Sequence, residues 1–587
     1  MDKKQIAAVL DEMGTLLELQ GANPFKSRAF HAASRSVEGI VGDIGDMSRS
    51  GDLLKVKGIG ASIGAIIGDL VATGTSKEYT ALRKSVPDGV LEMLRIQGLG
   101  PKRVKILYDK LKLKSLDALE RAARADKLSV LAGFGSKTQE NILAGISSLR
   151  SRKDKYLFST ALHAAHAVFD VLAKQPGVIR GEIAGSLRRR KEVIGDVDIL
   201  LSAKENDRSR LMEVFVHHPD VAAVIAHGET KSSVTLSSGI NCDLRIVNDK
   251  EFPFALQYFT GSKEHNVALR SRAKKEGLSL NEYGFTPLEE KKGRGGRRKG
   301  TVCRDEEAIY AALGLQFVPP ELREDRGELE AAEANRIPAL IPLDSLRGTF
   351  HCHTTYSDGV NSLQEMTDAA RALGWEYLGI ADHSRSAAYA GGLTRERLKE
   401  QSAEIDAING RSAGFRVWKG TECDILPNGD LDWPESILAT FDYVVVSVHS
   451  SFTLTEAAMT KRIVKALKNR YVTMLGHPTG RLLLSREGYR INMNEVIAAA
   501  AEYGKIIEIN AHPTRLDLDW RLCRLAKEKG VMIAINPDAH SVDGLRDVEY
   551  GVGIARKGWL EAKDVLNTRS REDVGRYFDL KKREKSR

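Results

Sequence analysis

The sequence predicts a multidomain protein with three architectures in series: a helical N-terminal region, an α+β domain, and a C-terminal barrel of alternating strands and helices. Three observations carry that prediction. Gly-h-Gly turns (h apolar), each running into a helix, recur three times in the first 150 residues. The stretch 185–200, GSLRRRKEVIGDVDIL, joins a glycine-led turn and a basic run to a strand with two aspartates one residue apart. From Thr349 onward short apolar strands alternate with helical stretches, and nearly every strand ends in His, Asp or Glu. At 587 residues the chain exceeds what one hydrophobic core serves.

Composition narrows the class. The net charge of +9 fits an anionic partner without separating DNA from RNA. No segment reaches the roughly 18 uninterrupted apolar residues of a membrane span, and MDKKQIAAVLDE lacks the apolar core of a signal peptide. A soluble cytoplasmic protein without a membrane partner is expected. The five cysteines (242, 303, 352, 423, 523) form no CxxC pair, which argues against a zinc ribbon or a disulfide framework.

In chain order, Ile6, Val9, Leu10, Met13, Leu16 and Leu17 recur at helical spacing, so the chain opens with an amphipathic helix. A second helical pattern follows Pro24. Three similar pieces come next: LLKVKGIGASIGAIIGDL (53–70), LRIQGLGPKRVKILYDKL (94–111) and VLAGFGSKTQENIL (130–143). Their glycine pairs (Gly58 and Gly60, Gly98 and Gly100, Gly133 and Gly135) let the backbone lie against a phosphate. The helix that follows offers free N–H groups and a positive dipole end. Lys102 and Lys137 stand after two of them. A lone GxG is more often just a tight turn, but three in series resemble helix-hairpin-helix motifs, which grip the DNA backbone without reading bases.

In 185–200, side chains alternate along the strand, so Asp196 and Asp198 share a face. Their repulsion is relieved by a divalent cation, and hard oxygen ligands suit Mg²⁺ or Mn²⁺. Upstream, the N–H groups after Gly185, the Ser186 hydroxyl and the basic run 188–191 make a polyphosphate cradle. Cation and cradle together point to nucleotidyl transfer. SSVTLS and CDLRIV flank the turn SGIN as a hairpin. Asp243 in its second strand is either a third metal-site carboxylate or a salt-bridge partner of Arg245 or another arginine.

The run 185–200, the order DxD then Asp243, and Tyr258-Phe259-Thr260-Gly261-Ser262 resemble the motifs of family X DNA polymerases. The resemblance implies a palm in which Asp196, Asp198 and Asp243 are catalytic metal ligands, with Asp243 taking the primer 3′-hydroxyl proton. It places Gly185, Ser186, Arg189 and Gly195 around the triphosphate, and Tyr258, Phe259 and Gly261 against the sugar, where Gly261 excludes a 2′-hydroxyl. Asn266 falls on the base and Arg270 on the template minor groove. The chain departs from the family at Arg190, commonly glycine, at Ile194, often small and polar, and at Asn241, an arginine in some members. Ser62 and Ile66 stand where lyase lysines are expected, which argues against a lysine-dependent lyase. The loop KKGRGGRRKG (291–300) reads as a solvated segment or a DNA contact.

In the C-terminal region the strands include YLGIAD, RVWKGTECDI, DYVVVSVHS, YVTMLGHP, IIEINAH and VMIAINPDAH. Alternation with helices means parallel strands and, at this length, a barrel whose C-terminal strand ends share one face. Seven of the fourteen histidines lie here. The candidates His351, His353, Asp358, His383, Glu422, His449, His477, Asp538 and His540 combine imidazole with carboxylate, a set suited to Zn²⁺, Mn²⁺ or Fe²⁺. The array resembles the polymerase and histidinol phosphatase (PHP) family. By that resemblance His351, His353, Glu422 and Asp538 hold one metal, Glu422, His449 and His477 a second, and Asp358, His383 and His540 a third. Two to three ions there activate water for phosphoester hydrolysis, with His351, Glu422 and His449 catalytic. Arg481 and Lys419 are either phosphate ligands or surface salt bridges.

The expected division is a helical DNA-binding domain (1–85), a fingers-like hairpin domain (86–150), a nucleotidyltransferase palm (151–249), a thumb (250–320), a linker (321–346), a distorted TIM-like PHP barrel (347–572) and a basic tail (573–587). The implied function is DNA repair by a monomer that fills short gaps in gapped or nicked duplex from deoxynucleoside triphosphates. A 3′-5′ exonuclease serves 3′ ends, including abasic-site processing. The alternatives are a DNA phosphoesterase whose polymerase half is only a DNA-binding module, and a small-molecule phosphatase.

Overall fold

The computed structural model describes the chain except residues 2, 39, 41–43, 57, 97, 153, 289–302, 388, 389 and 587. The basic loop 291–300 therefore lies outside the described residues. One compact unit comprises Met1–Lys153 with Gly359–Asn361, the other Asp154–Asp358 with Ser362–Arg587.

The first unit is built from helices alone among its described residues. It has two apolar cores. Leu10, Phe30, Ile63 and Ile67 belong to one, and Val104, Leu107, Phe134 and Ile142 to the other. The opening helix, Lys3–Gln20, serves both: Ile6, Leu10 and Met13 pack into the first core, Leu16 and Leu19 into the second. The division expected at residue 85 is thus spanned by a single helix whose apolar stripe is shared.

The second unit begins with a five-stranded sheet in the order Val178–Ile183, Asp196–Ala203, Asn241–Val247, Lys231–Leu236, Val221–Ala226. Only the pair Asp196–Ala203 and Asn241–Val247 is parallel, with Asp196 beside Asn241 and Asp198 beside Asp243. Val197, Ile199 and Leu201 pack under the helices Phe158–Ala173 and Arg208–Val216. Strand alternation then turns Asp196 and Asp198 to the opposite face, the face on which Leu200 packs with Ala184 and Phe252. Helices Phe252–Thr260, Lys263–Lys275 and Glu306–Ala312 and the hairpin Leu278–Asn281/Gly284–Pro287 form a smaller subdomain with its own core.

Residues 321–346 do not form a free linker. Arg323 is fully buried and pairs with Glu306, Glu328 is buried against His265, and Leu322, Ala332 and Ile337 join the apolar core. The polar sequence that reads as solvated is polar because it carries buried, paired charges.

The barrel has eight parallel strands in two arcs. Gly348–Cys352, Tyr377–Ile380 and Arg416–Lys419 make one, and Glu422–Asp424, Val445–Ser447, Met474–Leu475, Ile506–Asn510 and Ile533–Asn536 make the other. Bridges His383–Glu422 and Cys352–Ala539 join the arcs at both seams. RVWKGTECDI, one strand by sequence, is broken at Gly420, where a Cβ would lie 2.3 Å from the Tyr443 ring and 2.7 Å from the Ile380 carbonyl oxygen. The break lets Glu422 begin the second arc.

The last helix, Arg571–Ser586, replaces the tail expected from residue 573. Its Phe578 is 2% exposed and stacks on Tyr443 at 5.6 Å, with Phe350 and Trp418 around it. Phe578→Ala is expected to cost about 3–5 kcal/mol, read as a fall in the urea midpoint; a solvated tail would leave the midpoint in place.

Candidate functional site

Three carboxylates meet on the sheet of the second unit. Asp198 and Asp243 sit side by side in register and Asp196 starts the same strand. Burial, then Asp196 and Asp243, push the Asp198 carboxyl up to about 7, opposed by Arg245 and Lys231. Like charges gathered this way are stable only with a counter-cation. In the protein alone that cation is Lys231, whose Nζ lies 2.7 Å from Asp243 Oδ2. The salt bridge weighed for Asp243 exists, but from Lys231 rather than Arg245. Asn241 instead accepts a hydrogen bond from Thr235 at 3.0 Å.

Gly185 has a positive φ of 63°, and a Cβ there would lie 2.2 Å from Asp198 Oδ2. The glycine is needed both for its backbone conformation and to admit the carboxylate. Ser186 lies in the same turn, the short helix Gly185–Arg188. The arginines that follow differ from a free phosphate cradle. Arg188 binds Thr260 Oγ1 at 2.7 Å and Glu306 at 2.6 Å. Arg189, 9% exposed, donates to Glu324 at 3.0 Å and to the Thr260 carbonyl at 2.5 Å. Two of its nitrogens are thereby committed, and the guanidinium is fixed rather than solvated. Arg190 has φ 54° and stacks over Phe158 at 5.2 Å, and burial lowers its pKa. The positive φ explains why glycine is common at this position. Ile194 is fully buried and serves the core. At Gly195 a Cβ would meet Lys155 Nζ at 2.9 Å.

Tyr258 and Phe259 stand edge to face at 5.1 Å, with Arg270 over Tyr258 and Arg245 over Phe259. Gly261 has φ 68° and lies close to Arg189, where a Cβ would be 3.1 Å from Nη1. Asn266 is 7% exposed, accepting from Gln257 at 2.8 Å and donating to the Tyr258 carbonyl at 2.7 Å. In this structure it braces the aromatic turn rather than presenting a free amide to a base.

In the helical unit Gly58, Gly98 and Gly133 have φ near 90° (93°, 81° and 86°), which accounts for glycine there. Gly60, Gly100 and Gly135 have no such demand, and a Cβ on any of them would meet nothing within 4 Å. Gly60 and Gly100 are the N-caps of the helices that follow, a position that favours glycine, and all three leave room for an outside group to approach closely. Lys102 sits in the first turn of Pro101–Leu111.

The C-terminal strand ends of the barrel bring all nine predicted ligands together around Glu422. Its carboxylate lies 2.9 Å from His477 Nε2, 3.0 Å from His383 Nδ1, 3.3 Å from His449 Nε2 and 3.4 Å from His351 Nε2. Asp538 lies 3.2 Å from His353 Nε2, and Asp358 lies 3.4 Å from His540 Nε2. Three groups have ligand atoms spaced to share an ion: His353, Asp358, His383 and His540; His351, His353 and Asp538; His383, Glu422 and His449. They overlap the expected sets with four differences: His353 joins Asp358 and His383 joins Glu422, while Glu422 is absent from the His351 group and His477 from the Glu422 group.

The residues fit metal ions. Both ring nitrogens of His353, His351 Nε2 and His477 Nδ1 are buried without a hydrogen-bond partner. Burial, with His540 nearby, lowers His353 to about 4, so its imidazole is neutral and able to ligate. Burial would raise Glu422, but His449, His351 and His383 hold it well below the usual carboxylate range. Residues the sequence reading missed orient the cluster. Glu508 lies 2.7 Å from His351 Nδ1 and Asp424 2.6 Å from His449 Nδ1, each fixing a tautomer with Nε2 toward Glu422. Arg515 Nε is 3.4 Å from Asp538 and is a cation of the cluster. Arg481 and Lys419 are not: they pair with Asp519 and Asp406 at 2.6 Å each. No HxE or ExH spacing marks Glu508, which is why only the fold reveals it.

Family models for a helix-hairpin-helix domain (residues 1–76), a SAM-like helix-hairpin-helix tandem (90–147), the DNA polymerase beta thumb (255–324) and a PHP domain (349–512) match the chain. DNA polymerase/3′-5′ exonuclease PolX of Bacillus subtilis (strain 168) is 38% identical over 580 residues, 98% of this chain and 99% of that protein. A probable phosphatase of Thermoanaerobacter sp. (strain X514) is 29% identical over 246 residues, 40% of this chain and 94% of its own. One from Caldanaerobacter subterraneus is 33% identical over 189 residues, 30% of this chain and 72% of its own.

Asp198 must lose its proton to bind a cation. With its carboxyl at about 7, the apparent Mg²⁺ affinity of the palm site is expected to fall about tenfold per pH unit below that value and to level off above it. Metal titrations of nucleotide binding from pH 6 to 8.5 read this. A flat response places the Asp198 titration outside that window.

Proposed function

Since the chain belongs to the family X DNA polymerases that carry a PHP domain, we propose that it fills short DNA gaps at the palm and trims 3′ ends at the barrel. The observation that carries this reading is the pair of separate centres, three carboxylates that include Asp198 and nine candidate ligands that include Glu422. The reading as a DNA phosphoesterase with an inert polymerase half is not favoured, because the palm retains all three carboxylates in register. The small-molecule phosphatase reading leaves the open glycine turns of the N-terminal unit without a purpose.

Asp196, Asp198 and Asp243 would hold Mg²⁺ or Mn²⁺, and the barrel ligands two or three of Mn²⁺, Zn²⁺ or Fe²⁺. Bound cations supply the Lewis acidity that stabilises attacking and leaving oxygens. The chain's own groups do the rest. Asp243 accepts the primer 3′-hydroxyl proton, Gly185 and Ser186 hold the triphosphate, and Gly261 packs against the sugar and excludes a 2′-hydroxyl. In the barrel, Glu508 and Asp424 keep His351 and His449 in the ligating tautomer, and Arg515 neutralises the scissile phosphate. The glycine turns hold the duplex through its backbone. Gapped duplex and deoxynucleoside triphosphates are the substrates, in DNA repair that includes blocked or abasic 3′ ends.

A labelled primer on a one-nucleotide-gapped duplex, with Mn²⁺ and with or without nucleotides, tests this. Asp198→Ala is expected to lose lengthening by at least about a hundredfold and keep shortening, and His351→Ala the reverse. Shortening without any lengthening by the wild-type chain would replace the polymerase reading with the phosphoesterase one.

A further inference from the structure

Lys557 closes the helix Val548–Lys557 of the barrel, and its side chain is 0% exposed. A buried lysine is costly unless its charge and its three donors are satisfied. Here they are satisfied by residues outside the barrel, one in the palm and two in the segment that follows the palm's neighbouring subdomain. Nζ donates to Glu324 Oε1 at 2.6 Å, to the Arg189 carbonyl at 3.0 Å and to the Glu321 carbonyl at 3.3 Å, and lies over the Trp520 ring at 4.5 Å. Trp520 in turn donates its indole N–H to Glu192 at 3.1 Å.

Glu324 is therefore shared by three cations, Lys557, Arg189 and, at 4.0 Å, Lys191. Arg189 continues the contact to the Thr260 carbonyl and lies against Gly261. Its own N–H is bonded to the Gly185 carbonyl at 3.3 Å. One ammonium thus touches the backbone of the loop that starts at Gly185 and, through Glu324, the guanidinium beside the Tyr258–Gly261 turn. The charge balance matters as much as the contacts. Against the single Glu324 carboxylate stand Arg189, Lys191 and Lys557, so the cluster turns positive charge toward an anionic ligand, and loss of Lys557 lowers it.

We propose that Lys557, although part of the barrel, is a positioning residue of the palm's nucleotide site: it holds the Gly185–Arg189 loop and keeps Arg189 electrostatically available to a nucleoside triphosphate. This rests on the polymerase reading above. Because the lysine touches neither substrate nor reacting atoms, its loss weakens nucleotide binding and leaves the barrel chemistry alone.

The test uses the full chain on the one-nucleotide gap, with Lys557→Met, Lys557→Gln and Lys557→Arg. Met and Gln are expected to raise KM for the incoming nucleotide about tenfold with kcat within about twofold, and Arg to recover most of the loss. Mn²⁺-dependent shortening of a single-stranded primer stays at the wild-type rate. Equilibrium binding of a deoxynucleoside triphosphate with Mg²⁺ to the same proteins reads the effect without turnover. Unchanged KM and affinity in Met and Gln overturn the proposal. So does loss of both activities together with the melting transition in those two variants, which would make Lys557 a residue of folding alone. If the wild-type chain binds nucleotide but adds none, the polymerase reading fails instead, and the binding series still decides the role of Lys557.

Discussion

Everything in the barrel is arranged around one buried carboxylate. Glu422 is 1% exposed and lies within 3.4 Å of four imidazoles. An ionised carboxylate in that position is held only by cations, whether imidazolium or metal, because isolated burial of its charge costs far more than a domain can offset. The strand break at Gly420, the seam bridge to His383 and the carboxylates behind His351 and His449 all serve to bring partners to it. Removal of one partner is therefore felt by the rest of the cluster, and the nine positions form a single electrostatic unit.

The palm solves a similar problem in an opposite way. Its three carboxylates stand on the face of a sheet, beside Lys231 rather than inside a ring of imidazoles, so the site is left short of positive charge. Burial first, and then the neighbouring Asp196 and Asp243, make Asp198 hold its proton up to about 7. Both centres release protons when a cation enters: Asp198 in the palm, and in the barrel the imidazoles of His351, His449 and His540, which neighbouring carboxylates hold protonated despite burial. His353 is already neutral and Glu422 ionised.

Local patterns made much of this visible from the sequence. Alternation in DVDIL placed Asp196 and Asp198 on one face, and strand-end histidines placed the barrel site, because both depend on side-chain period alone. What stayed hidden depends on partners far along the chain. Glu508 lies 157 residues from His351, and Glu192 lies 328 residues from Trp520. The arginine run looked like a free phosphate cradle because sequence shows charges but not the acids that meet them, Glu306 and Glu324. For the same reason 321–346 read as a linker, its buried ion pairs resembling solvated ones, and Phe578 was lost in a basic terminus whose apolar spacing is diluted by lysines.

Those buried pairs bear on how the chain is divided for experiments. Arg189, Glu324 and Lys557 form one cluster, and Glu192 is shared by Trp520 and Arg521 of the barrel. A fragment ending near residue 325 would take Arg521 from Glu192 and Lys557 from Glu324, leaving Arg189 beside Glu324, and a buried charge that loses its partner costs several kcal/mol. Weak nucleotide binding by such a fragment would report the broken contact rather than an inert palm. Point substitutions in the intact chain separate the two centres without that ambiguity, since each removes ligands while leaving the shared charges in place.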